Sequence, residues 1–141
     1  MSHRNVELHG RLFAAYNAGD FDALIALCDP RIELHSVITV PGGTIYRGLD
    51  GVRDWYRDLA DGWGDELRVE VETYFDLGDQ TMTFHRLHAK GRRSGADVAM
   101  PVAAVMRWRN DLCTYFKTYT SREDALSDLG VSEEVLEPIA P

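Results

Sequence analysis

Residues Gln80–Thr120 constrain the fold of this chain more than any other stretch, because they predict long β-strands joined by very short turns. The strands are predicted at Gln80–Arg92, Asp97–Arg109 and Leu112–Thr120. Strands that pair in parallel need a crossover of about a dozen residues, so strands joined this closely must pair antiparallel. Because long strands twist as they pair, the resulting sheet is expected to curl.

The rest of the chain predicts elements that cover one face of this sheet. Apolar residues recur at helical spacing from Val52 to Trp63, the clearest helical period in the chain. The other predicted elements are helices at Ser2–Asn17, Phe21–Cys28, Asp50–Trp63 and Arg122–Leu129, and strands at Arg31–Val40 and Leu67–Asp76. The order α-α-β-α-β-β-β-β-α is typical of an α+β fold, in which three N-terminal helices lie on one face of the curved sheet. A hollow between the two layers is a usual ligand site.

Length and charge narrow the class of protein. One domain is expected over residues 1–141, with a core at about 5–130 and a loose tail at 131–141. The net charge of -8 argues against a nucleic-acid partner, which selects for a basic face. The sequence shows no secretory-type apolar run near its first residue and no apolar stretch of membrane-spanning length, so no membrane partner and a cytoplasmic location are expected. Cys28 and Cys113 are expected to be buried thiols.

Strand parity decides which polar side chains of Gln80–Arg92 share a face. Phe84, Arg86 and His88 project to one side, whereas His85 projects to the other. Because His85 and His88 point apart, they do not form a metal-binding pair, and neither a metal nor another cofactor is expected. If the first face looks into the hollow, Arg86 places a cation beside His88, which is a titratable base. On an outer face, the same two residues would be solvated or lie in a dimer contact.

His35 is the second candidate base, in the middle of a predicted strand, on the face that Glu33 and Val37 share. A hydrogen-bonded structural histidine is the alternative interpretation. Arg86 or Tyr119 could stabilise a developing oxyanion. Side chains that could line a large apolar pocket are Tyr16, Tyr46, Tyr56, Trp63, Phe84, Met100, Met106 and Trp108.

Three short blocks resemble the nuclear transport factor 2-like superfamily, which includes the ketosteroid isomerases. Tyr16–Leu24 (YNAGDFDAL) resembles its helix-turn-helix opening, and Tyr46–Val52 (YRGLDGV) resembles its second common block. Tyr119–Leu126 (YTSREDAL) resembles the ending of its SnoaL-like polyketide cyclase branch. The resemblance covers about residues 5–130. It implies a cone-shaped α+β barrel with a deep pocket, commonly in a homodimer, whose relatives isomerise steroids, cyclise polyketides, open epoxides or only bind ligands.

This chain has other residues at several positions where the relatives have catalytic residues. The base aspartate of ketosteroid isomerases falls near His35, and their second acid falls at Ala103 or Ala104. Limonene epoxide hydrolases have an Arg-x-Asp pair where this chain has Arg86-Leu87-His88. The isomerases' tyrosine falls near Leu12, and the aspartate that often ends the last strand falls at Ser121.

Three functions follow from these residues. The first is a cyclase- or isomerase-type enzyme that acts on a hydrophobic polyketide- or steroid-like substrate, with His35 or His88 as the general base and Arg86 or Tyr119 at the oxyanion. The second is a non-catalytic protein that binds a hydrophobic small molecule, since two carboxylates of the relatives are missing. The third is an interaction module that uses the outer face of the sheet, which is also where a homodimer is expected.

Overall fold

The computed structural model describes residues 3–64, 66–90 and 95–141. Its elements are α1 (Arg4–Asn17), α2 (Phe21–Ile25), β1 (Cys28–Ser36), β2 (Thr44–Arg47), α3 (Gly48–Trp63), β3 (Arg68–Asp76), β4 (Gln80–Lys90), β5 (Asp97–Arg109), β6 (Leu112–Tyr119) and α4 (Arg122–Leu129). A single 3-10 turn follows at Glu133–Val135. The strands form one six-stranded sheet in the order β2-β1-β6-β5-β4-β3. β1 and β6 pair in parallel, and the other neighbours pair antiparallel. The predicted α+β fold with a curved mixed sheet is confirmed.

The three strands predicted at the centre of the chain are present and antiparallel. β5 has the predicted bounds, and β4 and β6 begin where predicted. The turn between β5 and β6 places Asn110 and Asp111 at φ 52° and 64°, which suits a two-residue hairpin loop because short polar residues tolerate the left-handed region. Two predictions lie outside the described ranges, namely the end of β4 at Arg92 and the Ser2 cap. The predicted turn at Arg93-Ser94-Gly95 lies mostly outside them.

The first half of the chain departs from the prediction at β1 and β2. β2 was not predicted, because four residues are too few to show an alternating pattern. β1 begins at Cys28 rather than at Arg31, because the backbone N–H of Cys113 donates to Leu27 O at 2.8 Å and draws this segment alongside β6. α2 therefore ends at Ile25, before the predicted Cys28. Cys28 and Cys113 face each other across the two strands as buried free thiols.

Two apolar clusters lie on opposite faces of the sheet. The larger one packs α1 and α3 against the inner face, and Val52, Trp55 and Leu59 supply the buried side of α3. The smaller cluster packs α4 against the outer face, over Phe84 and Tyr119. Apolar residues are therefore buried on both faces of the same strands.

The C-terminal segment is held against β3, so the prediction of a loose tail is wrong. Ile139 N donates to Tyr74 O at 2.8 Å, and Tyr74 N donates to Ile139 O at 2.9 Å. Leu136 packs against the outer cluster. Hydrogen bonds and apolar contact together hold these last residues in place.

Candidate functional site

The inner face of the sheet, the face toward α1 and α3, carries a small cavity. Its volume is about 30 Å³, which is room for a water molecule or two. Its walls come from both helices and from β3, β4 and β6: Phe13, Tyr16, Ile38, Trp55, Leu59, Leu67, Val69, His85, Leu87, Phe116 and Thr118. None of these lining residues is a carboxylate, and His85 supplies the imidazole.

An open cleft of about 720 Å³ lies beside this cavity. It shares Tyr16 and Leu67 with the cavity wall, so the two spaces meet at these residues. The rest of the cleft is lined by Asn17, Ala18, Gly19, Tyr56, Ala60, Gly64, Glu66, Arg68, His88, Ala89, Lys90 and Asp97. The cleft carries charged side chains, whereas the cavity is lined mostly by apolar ones.

His85 is the titratable base of the cavity wall. Its side chain lies on the inner face of β4 at 2% exposure, and its ring centroid is 5.1 Å from that of Phe13. Its Nδ1 is 3.0 Å from Thr83 Oγ1. Burial, helped by the positive charge of Arg122, lowers the pKa of His85 to about 4, so the ring is neutral near pH 7.

His85 is one end of a chain of buried polar side chains that connects β4, α1 and β5. Thr83 Oγ1 is also 3.4 Å from Nε2 of His9, and Nδ1 of His9 is 2.7 Å from Thr81 Oγ1. Trp108 Nε1 donates to the same Thr81 oxygen at 2.9 Å. Burial and the neighbouring His85 hold the pKa of His9 well below its usual range. The chain thus links two neutral imidazoles beneath the cavity.

A family model described as the SnoaL-like domain matches residues 10–116 of the chain. The protein belongs to this SnoaL-like family. No curated protein sequence matches it.

Solved structures that resemble this SnoaL-like protein share its fold over most of their length. An NTF2-like protein from Burkholderia thailandensis is 26% identical, with 84% of this chain and 91% of that chain covered and a TM-score of 0.70. TerC, co-crystallised with polyporic acid, is 16% identical, with 89% and 97% covered and a TM-score of 0.73. A putative polyketide cyclase from Pseudomonas putida is 16% identical, with 86% and 95% covered and a TM-score of 0.67.

The four side chains predicted as catalytic alternate with residues of the inner cluster and lie on the outer face, the alternative left open for Arg86 and His88, although His88 also borders the cleft. His35 Nε2 is 2.9 Å from Glu33 Oε1, and His88 Nε2 is 3.3 Å from Glu70 Oε1. Arg86 pairs with Glu72, and Tyr119 donates to Asp128 of α4. The cause is strand parity, because the residues of β1 and β4 that alternate with these side chains pack on the inner face.

Most of the predicted apolar lining residues lie inward, with different surroundings. Tyr16 borders both spaces, and Tyr56 borders the cleft. Met106 and Trp108 are buried in the inner cluster, and Met100 packs against it.

The other three predicted lining residues have structural partners. Tyr46 donates to Asp58 at 2.7 Å, and Trp63 donates to Ile38 O at 3.0 Å. Phe84 is the exception to the inward pattern, because it lies on the outer face beneath α4, with Arg122 5.0 Å from its ring.

From the sequence, His85 and His9 were considered only as metal ligands and were rejected in that role. The pattern Thr81-x-Thr83-x-His85 places three polar residues on one face of a strand, and that was the available signal. In the described part of the chain, no group of three or more histidine, cysteine or acidic side chains is placed to hold a metal ion. No helix within the described ranges is both long and apolar enough to cross a membrane.

Proposed function

We propose that this SnoaL-like protein binds a hydrophobic, ring-bearing small molecule in the inner cavity, and that His85 takes part in chemistry of the isomerase or cyclase class on it. One observation carries the proposal. A neutral imidazole stands in the wall of a cavity whose other lining is mostly aliphatic and aromatic. Apolar walls with a few convergent polar groups are the usual form of a small-molecule site.

The neutral state of His85 suits a hydrogen bond to a ligand held away from water. With a pKa of about 4, the ring is uncharged at neutral pH. A neutral imidazole acts as an electrophile toward a carbonyl in some isomerase sites. His85 therefore replaces Arg86 and Tyr119 as the candidate that stabilises a developing oxyanion.

A ring-bearing ligand needs more room than the cavity of about 30 Å³ provides. Tyr16 and Leu67 line both the cavity and the cleft, and we expect rotation of these two side chains to enlarge the cavity toward the cleft. The Tyr16 ring lies 6.0 Å from Trp55 and 5.8 Å from Tyr56, and these neighbours would then line the enlarged site. Two of the similar structures support a small-molecule role, one through its bound polyporic acid and one as a putative polyketide cyclase.

A decisive experiment compares His85→Gln with His35→Gln, a matched change on the outer face. Binding is measured with the fluorescent phenol 2-naphthol, and turnover with a panel of steroid and polyketide-like ketones followed by absorbance and mass spectrometry. We expect turnover to fall by at least about 100-fold in His85→Gln and to remain within about 2-fold of wild type in His35→Gln. Equal turnover in both variants would remove His85 from the chemistry.

Non-catalytic binding in the same cavity is the second candidate. The observation that favours it is the lack of a carboxylate among the lining residues, since relatives use acids for proton transfer. In that case 2-naphthol binds, no ketone in the panel is converted, and His85→Gln weakens binding without altering any reaction.

A homodimer through the outer face of the sheet stays a prediction, as do the cytoplasmic location and the lack of a nucleic-acid partner. The face beyond α4 carries Arg86 and His88, which pair with Glu72 and Glu70 and would meet their copies across a two-fold axis. Light scattering after size-exclusion chromatography gives the mass in solution. We expect Arg86→Glu to convert a dimer of the wild type into a monomer.

A further inference from the structure

We propose that the chain Trp108–Thr81–His9–Thr83 fixes His85 in the tautomer that carries its proton on Nε2, so that the cavity presents an N–H donor to a carbonyl or enolate oxygen of the ligand. The tautomer follows from the hydrogen bonds of two buried, neutral imidazoles. The ligand part rests on the proposed function, and it narrows the ligand to a compound that carries an acceptor oxygen among its rings.

The direction of the chain is set at Trp108. An indole N–H can only donate, so Thr81 Oγ1 must accept this bond of 2.9 Å. Trp108 is 5% exposed and Thr81 is fully buried, so water does not compete at this contact. The first bond of the chain therefore has one possible polarity.

The hydroxyl proton of Thr81 sets the next bond. Within the described residues, the other hydrogen-bond partner of Thr81 Oγ1 is His9 Nδ1, at 2.7 Å. If His9 donated instead, the Thr81 hydroxyl proton would be buried without an acceptor, which is costly. Thr81 therefore donates, and Nδ1 of His9 accepts.

His9 transmits this polarity to Thr83. The ring is fully buried, and burial lowers its pKa, so it holds a single proton near pH 7. Because Nδ1 accepts, that proton lies on Nε2, which donates to Thr83 Oγ1 at 3.4 Å. Thr83 is then free to donate its own hydroxyl proton onward.

His85 Nδ1 receives this proton donation from Thr83 at 3.0 Å. A neutral imidazole that accepts at Nδ1 carries its proton on Nε2. Among the described residues, no hydrogen bond engages that Nε2, and the ring forms part of the cavity wall. The nitrogen that remains for a ligand is therefore a donor, which would polarise a carbonyl or stabilise an enolate oxygen.

The tautomer is tested by long-range proton–nitrogen NMR of the full chain at neutral pH, in wild type, Thr81→Ser and Thr81→Val. Spectra of His85→Gln and His9→Gln assign the signals. We expect His85 in wild type and Thr81→Ser to show a protonated Nε2 and an unprotonated Nδ1. In Thr81→Val, where the donor to His9 is lost, we expect the Nδ1-protonated form of His85 to appear.

A wild-type spectrum with the proton on Nδ1 of His85 overturns the proposal, and this reading remains available even if Thr81→Val does not fold. A folded Thr81→Val with an unchanged His85 spectrum also overturns it, because the direction would then not come from Thr81.

The donor role is tested separately with 2-acetylnaphthalene labelled with carbon-13 at the carbonyl. We expect the carbonyl signal to move downfield on binding, and this shift to disappear in His85→Phe while binding persists. Binding without a downfield shift overturns the donor role. If the probe does not bind at all, that result counts against the proposed function, and the tautomer is still decided by the nitrogen spectra.

Discussion

The two faces of the sheet treat the same residue type in opposite ways. On the inner face, His9 and His85 contact threonine hydroxyls, and burial holds their pKa values below the usual range. On the outer face, His35 and His88 contact glutamates at 2.9 and 3.3 Å. The partner of each outer histidine is a carboxylate, whereas a buried histidine between hydroxyls is a neutral donor or acceptor. The neighbours on the strand, more than the residue itself, decide the available chemistry.

The side-chain contacts of the two faces also contribute differently to the stability of the fold. Exposed ion pairs contribute about 0–1 kcal/mol, because water screens both charges. A buried donor or acceptor that loses its partner costs about 1–3 kcal/mol, because water cannot replace it. Substitutions on the inner face are therefore expected to lower the free energy of unfolding more than substitutions on the outer face.

The largest difference is expected between two adjacent residues of β4. Leu87 is 4% exposed in the inner cluster, and Arg86 is exposed on the outer face. Leu87→Ala should lower the free energy of unfolding by about 2–5 kcal/mol, since it leaves a void. Arg86→Ala should cost less than about 1 kcal/mol. Urea denaturation of both variants checks this, and equal losses would mean that the two faces are wrongly assigned.

A pH effect of on the order of 3 kcal/mol is expected from His85 alone. Its pKa is about 4 in the folded protein, against an ordinary value of 6.5. Between these values the unfolded chain binds more protons, so this stability is complete above about pH 6.5 and is lost as the pH falls toward 4. The pKa of His9 is also lowered, so its contribution has the same sign. The charge of Arg122 lowers the pKa of His85, and the charge of Glu72 raises it.

The measurement is the free energy of unfolding across this pH range. His85→Gln should flatten the slope, and His35→Gln should leave it unchanged. The outer carboxylates Glu33, Glu72 and Asp128 have lowered pKa values, so their contribution is lost only at more acidic pH. A slope that persists in His85→Gln would point to His9 as the main source.

A smaller loss is expected at Thr81. Thr81→Val keeps the shape but leaves Trp108 Nε1 and His9 Nδ1 without a partner, so it should cost about 1–3 kcal/mol. Thr81→Ser keeps the hydroxyl and should cost less than about 1 kcal/mol. Thermal and urea unfolding measure both, and a valine variant as stable as the serine variant would show that these bonds contribute little.

The smallest effect is expected for the outer pair His88 and Glu70. A double-mutant cycle with alanine at both positions should give a coupling of at most about 0.5 kcal/mol, which added salt reduces further. A coupling above about 1 kcal/mol would mean that this pair is shielded from water, as in a dimer contact.

The sequence predicted the elements well and the orientation of the sheet poorly. The helical period of α3 and the short turn at Asn110-Asp111 are local signals, and both features are present. Which face of β4 looks inward is decided by tertiary packing. Met82 and Phe84 suggest an inner face by their apolar character, yet α4 buries them on the outer face.

The candidate site was missed for the same reason. Thr81, Thr83 and His85 are polar, but α1 covers them and His9 supplies their partner from a distant part of the chain. No local pattern encodes a contact between residues more than seventy positions apart. Once the inner face is known, the alternation of threonine and histidine becomes informative.

The bonds between Ile139 and Tyr74 have a consequence for handling the protein. β3 is the last strand of the sheet, and its outer backbone groups would otherwise be open to pairing with another chain. The C-terminal segment pairs with β3 at Tyr74, and this pairing blocks another strand from adding to the edge there. Deleting the last few residues, or displacing them with a fusion, would leave the edge of β3 unpaired and is expected to promote aggregation.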